Sequence, residues 1–232
     1  MPTMEKKTLW GPKGHQRLLK KGTGLSLHVS DFITDVGGRL KFGDELACEI
    51  IKPGTNRDGW WKCEDLAKQV EFKAIPIFNK LYPDAVGVFA FDNAKSHGAF
   101  AKNALIAERM NMNPGGKSEF RDGVMPDGSI QKMHYEDGRP KGIKIVLEER
   151  GLWQEGLFRI CAQCKEHQPT RDNCCAVRIL SLQDDFKATK PVIQEIVERH
   201  GHKIIFYPKF HCELNFMGCS KEMDKGELRL HL

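Results

Sequence analysis

The first positions of Leu25-Ser-Leu-His-Val-Ser-Asp-Phe-Ile33 alternate apolar and polar side chains, the period-2 mark of a strand with one buried face. A turn signal at Asp35-Val-Gly-Gly38 follows, then Arg39-Leu-Lys-Phe42 and the strand-like Leu46-Ala-Cys-Glu-Ile-Ile51. This stretch predicts antiparallel hairpins. Asp58-Gly-Trp-Trp61 predicts a turn into a helix that starts near Glu64 or Asp65. Leu66 and Val70 have helical spacing, and Pro76, which has no amide donor, should kink or break that helix.

Val86-Gly-Val-Phe-Ala-Phe91 is a continuous apolar run, as expected of a strand buried on both faces. Asp92 ends it, small and polar residues follow (Asn93-Ala-Lys-Ser-His97), and a helix is predicted over about 98–109. Residues 111–142 are rich in Gly, Pro and Asp and read as a long irregular connection. Helical patterns return at 143–150, 175–182 and 192–200, the last closed by Gly201. A short strand at 203–207 ends at Pro208. That order suits an α/β domain with a mixed sheet. A polar residue ending a buried strand stands where such sheets place their chemistry, although Asp92 alone also fits a turn or helix-capping aspartate.

The chain has 232 residues, 40 % apolar and 29 % charged, which excludes intrinsic disorder and allows one large domain with a sizeable core. Its formal net charge is +5, and residues 1–28 carry that whole excess, with Lys6, Lys7, Lys13, Arg17, Lys20 and Lys21 against Glu5. A neutral body with a basic leader argues against a protein that coats nucleic acid along its length. The N-terminus has no apolar core of a signal peptide, and no window approaches 18 consecutive apolar residues, so neither export nor a membrane span is expected. The expected location is intracellular, in a reducing compartment where clustered cysteines imply metal or burial.

Cys161-x2-Cys164 is followed by Cys174-Cys175. Four thiolates with a CxxC pair suit tetrahedral Zn²⁺, which would staple this region. The adjacent pair is less usual than a second CxxC, His167 could replace one member, and the alternative is four partly buried free thiols. Cys48 and Cys63 read as small buried hydrophobes. The Trp60–Trp61 pair reads as core rather than as a base-stacking platform. Gly115-Gly-Lys117 follows no strand and has no phosphate-loop arrangement, so no nucleotide is expected.

Asp92-Asn-Ala-Lys-Ser-His97 resembles the D-N-x-x-x-H phrase that carries the second catalytic acid of mariner-type transposases of the Asp-Asp-Glu/Asp superfamily. Phe206-Tyr-Pro-Lys-Phe-His-Cys-Glu-Leu-Asn215 resembles the segment that leads to their third acid. The chain is similar above all to a fungal group of such endonucleases, whose phrases HVSDFI, NRDGWW, PGGK, KGIKxVLEERGLW, CC and FYPKFHCELN all occur here in order. The resemblance covers about residues 10–215.

The resemblance implies a ribonuclease-H-like mixed sheet in which three acids hold two Mg²⁺ ions about 3.5–4 Å apart for DNA strand cleavage and transfer. Asp92 would be the second acid and a metal ligand. Asn93 and His97 in its loop would support that ligand or contact DNA, with a plain structural role the alternative for His97, and Lys209 and His211 in the later segment would contact DNA. The implied partners are DNA and related transposase subunits, and the implied location is nuclear. On the same match the first acid and its central strand precede the stretch that begins near Trp10, and this chain has no counterpart. The third acid falls at Gly218, which has no side-chain donor.

These readings divide the chain into a basic leader (1–24), two parts of a ribonuclease-H-like core (25–110 and 189–215), an insertion with the cysteine cluster (111–188) and a divergent tail (216–232). They predict a transposase-derived domain without two-metal catalysis. The alternative is a zinc-stabilised module from a transposon that binds nucleic acid or protein.

Overall fold

The computed structural model describes residues 26–168 and 171–208. The basic leader, Lys209, His211 and the segment around Gly218 lie outside them.

The N-terminal hairpins form as predicted. β1 (His28–Ser30) pairs antiparallel with β6 (Glu49–Ile51). Between them, β2 (Ile33–Thr34) pairs with β3 (Gly38–Arg39), and β4 (Lys41–Phe42) with β5 (Glu45–Leu46). Gly38, at φ 69°, turns the first of these hairpins. These short ribbons are tied to the helical layer by Gln69, which is 2 % exposed. Its amide nitrogen donates to the Ser30 carbonyl at 2.8 Å and the Ala47 carbonyl at 2.7 Å, and its oxygen accepts from the Ser30 hydroxyl.

α1 (Cys63–Gln69) begins where the Asp65 carboxylate accepts from the Lys62 amide at 2.9 Å. Pro76 does not break the helical run. A π-helical turn at Val70–Ala74 leads into α2 (Ile75–Leu81), and Pro76 falls in the first turn of α2, where its missing N–H is not needed.

β7 (Val88–Phe91) runs parallel to β10 (Lys203–Phe206), in register from Val88↔Lys203 to Phe91↔Phe206. The expectation of burial on both faces is corrected. Phe89 and Phe91 point into the core, whereas Val88 and Ile205 are 58 % and 48 % exposed. Among the described residues every sheet is two-stranded, and the helical layer covers one face of this one.

The helix expected over 98–109 is absent; only a single 3-10 turn forms, at Ala107–Arg109. Carbonyls that a helix would use internally receive other segments instead. The Ala99 carbonyl accepts from the Val192 amide at 3.0 Å, and the Asn103 carbonyl from the Arg121 amide at 2.7 Å.

Residues 111–142 are irregular except for the hairpin of β8 (Gly123–Val124) and β9 (Ile130–Gln131), yet they supply the buried Phe120 and Met133. α3 (Ile143–Glu149) starts against this segment, with the Ile143 and Lys144 amides bonded to the carbonyls of Asn111 and Met112. Then come α4 (Ala162–Lys165), α5 (Ala176–Ser181), α6 (Asp184–Lys187) and α7 (Val192–Arg199). Gly201, at φ 81°, closes α7 with a left-handed turn.

The buried side chains form two cores. The first joins Leu40, Leu66, Val70, Ile75, Phe89 and Phe91 to Ile193, Ile196 and Val197 of α7. The second gathers Leu105, Met110, Phe120, Met133, Ile143, Val146, Leu147, Cys175, Leu180 and Phe186. The chain is therefore mixed α/β, with a second lobe that leaves the first after β7 and returns at α7. Cys48 and Cys63 are half-buried rather than buried. Trp61 packs on the first core and stacks on His28 at 5.6 Å, but Trp60 is 64 % exposed.

Candidate functional site

The four cysteines converge. Cys161 is the residue before α4, and its sulfur accepts the Cys164 amide at 3.4 Å, the local geometry that a CxxC spacing produces at a helix start. His167, at φ 57°, reverses the chain after α4. Cys174 and Cys175 then enter immediately before α5, whose apolar face anchors them to the second core.

Sulfur–sulfur separations are 3.5 Å for Cys161–Cys174 and 3.3 Å for Cys164–Cys174, and all four sulfurs lie within 4.8 Å of one another. A tetrahedral site with metal–sulfur bonds of about 2.3 Å has sulfur–sulfur edges of about 3.8 Å, which these distances bracket. The set can hold a metal ion. Although an adjacent pair is the less usual spacing, both members belong to the cluster. His167 is exposed and takes no part in it.

The electrostatics single out one thiol. The Cys164 amide, donated to its sulfur, brings Cys161 down to about 7. Loss of solvation pushes Cys164 well up, with the neighbouring thiols adding to it, and desolvation also raises Cys174. Crowded sulfurs resist a second negative charge, which is the condition a divalent cation relieves. Cys175 has no solvent exposure, and the other three are half-buried.

The second candidate lies at the C-terminal end of β7. Asp92 Oδ1 accepts the Ala94 amide at 3.0 Å and stands 2.6 Å from His97 Nδ1. His97 packs edge-on against Phe91 at 5.5 Å. Asn93 Nδ2 donates to the Tyr207 carbonyl at 2.8 Å, and the Tyr207 amide donates to the Phe91 carbonyl at 2.8 Å. Asp92, Asn93 and His97 are thus held together against the end of β10, although 114 residues separate Asn93 from Tyr207. Asp92 keeps its turn-forming role as well. Among the described residues it belongs to no group of three or more metal-capable side chains; the four cysteines form the one such group.

Two clefts had no local sequence signal, because distant segments line them. One of about 320 Å³ lies between Trp153, Asn173 and Leu182. The other, of about 570 Å³, runs between α1 and α7 and is lined by Lys68, Lys102 and Phe100. No helix among the described residues is long and apolar enough to cross a membrane.

Compared with family models, with curated proteins and with solved structures, the chain finds no match in any of the three.

Proposed function

We propose that this chain is a transposase-derived, ribonuclease-H-like domain that binds DNA without cutting it. The observation that carries this reading is the parallel pairing of β7 with β10. The strands that lead into the two phrases resembling mariner-type transposases lie side by side in it, and Asn93 links the Asp92 turn to Tyr207. Chemistry in open α/β sheets gathers at such carboxyl ends. Two-metal cleavage needs several carboxylates, because each Mg²⁺ demands octahedral oxygen donors, and on the resemblance one of those positions carries no side-chain donor. The position of the third acid is Gly218. A plasmid-nicking assay with Mg²⁺ or Mn²⁺ tests the reading, and no nicking above background is expected. Nicking that disappears in Asp92→Asn would overturn it. Salt-dependent retention of duplex DNA is expected in the same samples, and its absence removes the DNA-binding half of the proposal.

A second reading, favoured by the thiol geometry, complements the first. The four cysteines hold Zn²⁺ and make the second lobe a zinc-stabilised module. Thiolate sulfur is the ligand type that selects zinc over magnesium, and a closed four-sulfur set is structural rather than catalytic. Elemental analysis of protein purified without chelator should give one zinc per chain. Cys164→Ser should lower that content, and chelation should lower the melting temperature. Metal-free protein whose melting ignores chelator refutes this reading and leaves the first standing.

A further inference from the structure

We propose that the four-thiol site is also a site of reversible oxidation, at which hydrogen peroxide joins Cys164 to Cys174 and expels the bound metal. For the metal the inference rests on the zinc reading above; for the disulfide it rests on the sulfur geometry alone.

Cys174 is the sulfur that the others share, 3.3 Å from Cys164 and 3.5 Å from Cys161. Closing the nearer pair to a disulfide needs a sulfur shift of little more than about 1 Å, since the S–S bond is about 2.05 Å. Cys175 is excluded from such a reaction by its place in the second core, with no solvent exposure. Cys161, Cys164 and Cys174 are half-buried, and Ala162, Gln163, residues 165–168 and residues 171–173 beside them are exposed, so the three lie within reach of an oxidant in solvent. Cys48 and Cys63 lie in the other lobe and have no sulfur partner among the described residues.

The steps balance. A bound zinc would hold both Cys174 and Cys164 as thiolates although burial alone favours their thiols. The Cys174 thiolate attacks one peroxide oxygen; an S–O bond forms, the O–O bond breaks, and hydroxide leaves, giving a sulfenic acid. The Cys164 thiolate then attacks that sulfur; the S–S bond forms, the S–O bond breaks, and a second hydroxide leaves. Two sulfurs give up two electrons, and peroxide takes them. The metal loses two of its four ligands, and Cys161 with Cys175 cannot close a tetrahedron alone. A dithiol reductant with added zinc reverses the change.

The test uses the full chain loaded with zinc and treated with a few equivalents of hydrogen peroxide. Released zinc is read with a coloured chelator, and disulfides are mapped by mass spectrometry without reduction. One zinc should leave per disulfide formed, the disulfide should join Cys164 to Cys174, and dithiothreitol with zinc should restore the starting state. Zinc retained through oxidation, a disulfide mapped elsewhere, or oxidation that dithiothreitol does not reverse overturns the proposal. A chain with no zinc at the outset refutes the zinc reading, while the mapping still reads the disulfide. Zinc-loaded protein whose Cys164 and Cys174 stay reduced sinks the oxidation proposal alone.

Discussion

Asp185→Asn should be among the most damaging single changes in the second lobe, although Asp185 lies in no site. Arg150 and Asp185 side chains are 1 % and 7 % exposed. The guanidinium donates from Nη1 to Oδ1 at 3.0 Å, from Nη2 to Oδ2 at 2.7 Å, and from Nε to Gln131 Oε1 at 2.8 Å. Oδ2 also accepts the Val124 amide at 3.0 Å, and the Arg150 guanidinium lies over the Phe186 ring. Asparagine keeps the shape but turns an NH₂ toward the guanidinium, donor against donor, and leaves a buried cation without its counter-charge. Breaking a buried pair from one side costs about 3–5 kcal/mol. For a domain of this size that lowers the melting temperature by about 6–20 °C. Thermal unfolding followed by circular dichroism reads the loss. The double variant Arg150→Met with Asp185→Leu should recover part of it, because no charge is left buried and the half-exposed Val124 can turn its amide to water, while the buried Gln131 Oε1 still loses its donor. A shift of under about 2 °C in Asp185→Asn would show that the pair is not desolvated as argued. A double variant no better than the single one would place the cost in packing rather than charge.

Two further changes read separate features. Gly142→Ala builds a Cβ 2.4 Å from the Asn113 backbone carbon and the Met112 carbonyl oxygen; because these atoms are main chain, a loss of about 2–3 kcal/mol is expected in urea unfolding, and a neutral result refutes the close approach. His202 is buried, accepts the Gly87 amide at 3.2 Å, and has no partner at Nε2 among the described residues; burial pushes it below the usual histidine value, with His200 adding to the effect. Its contribution is therefore complete above about pH 6.5 and is lost as pH falls, since the unfolded ring takes a proton that the folded one refuses. The drop in melting temperature from pH 8 to pH 5 should shrink in His202→Gln, and an unchanged drop counts against the argument.

Local pattern carried the helices and hairpins well, because α3, α5 and α7 each bury residues at i, i+3 and i+4, as Ile193, Ile196 and Val197 do. It failed where the chain answers to distant partners. The 98–109 stretch loses its helix to Val192 and Arg121, and no window of sequence contains both. The apolar run ending at Phe91 is indistinguishable by composition from a strand buried on both sides. The CxxC spacing announced a thiol site, but the convergence of Cys174 and Cys175 on it depends on α5 packing in the second core. For Asp92, position at a strand end was legible; its bonds to Ala94 and His97, and Asn93's bond to Tyr207, were not.

The two lobes are coupled through chain connectivity, and the thiol site should therefore act on the sheet it does not touch. About 110 residues separate β7 from β10, and pairing distant segments costs about (3/2)RT ln n. When the second lobe is folded its ends are pinned: the Val192 amide holds the Ala99 carbonyl, and the Arg121 side chain reaches Glu195 at 2.9 Å and Thr189 at 3.4 Å. The two strands are then joined through an effective loop of about 20 residues, which lowers the closure cost by about 1.5 kcal/mol. A metal that stabilises the second lobe passes up to that amount to the β7–β10 pair. Hydrogen exchange after zinc removal measures it: amides of Val88–Phe91 and Lys203–Phe206 should open more easily by about 1–1.5 kcal/mol, while β1 and β6 change little. If second-lobe amides exchange freely and β7 and β10 keep their full protection, the lobes fold independently and the pinning contacts carry no coupling.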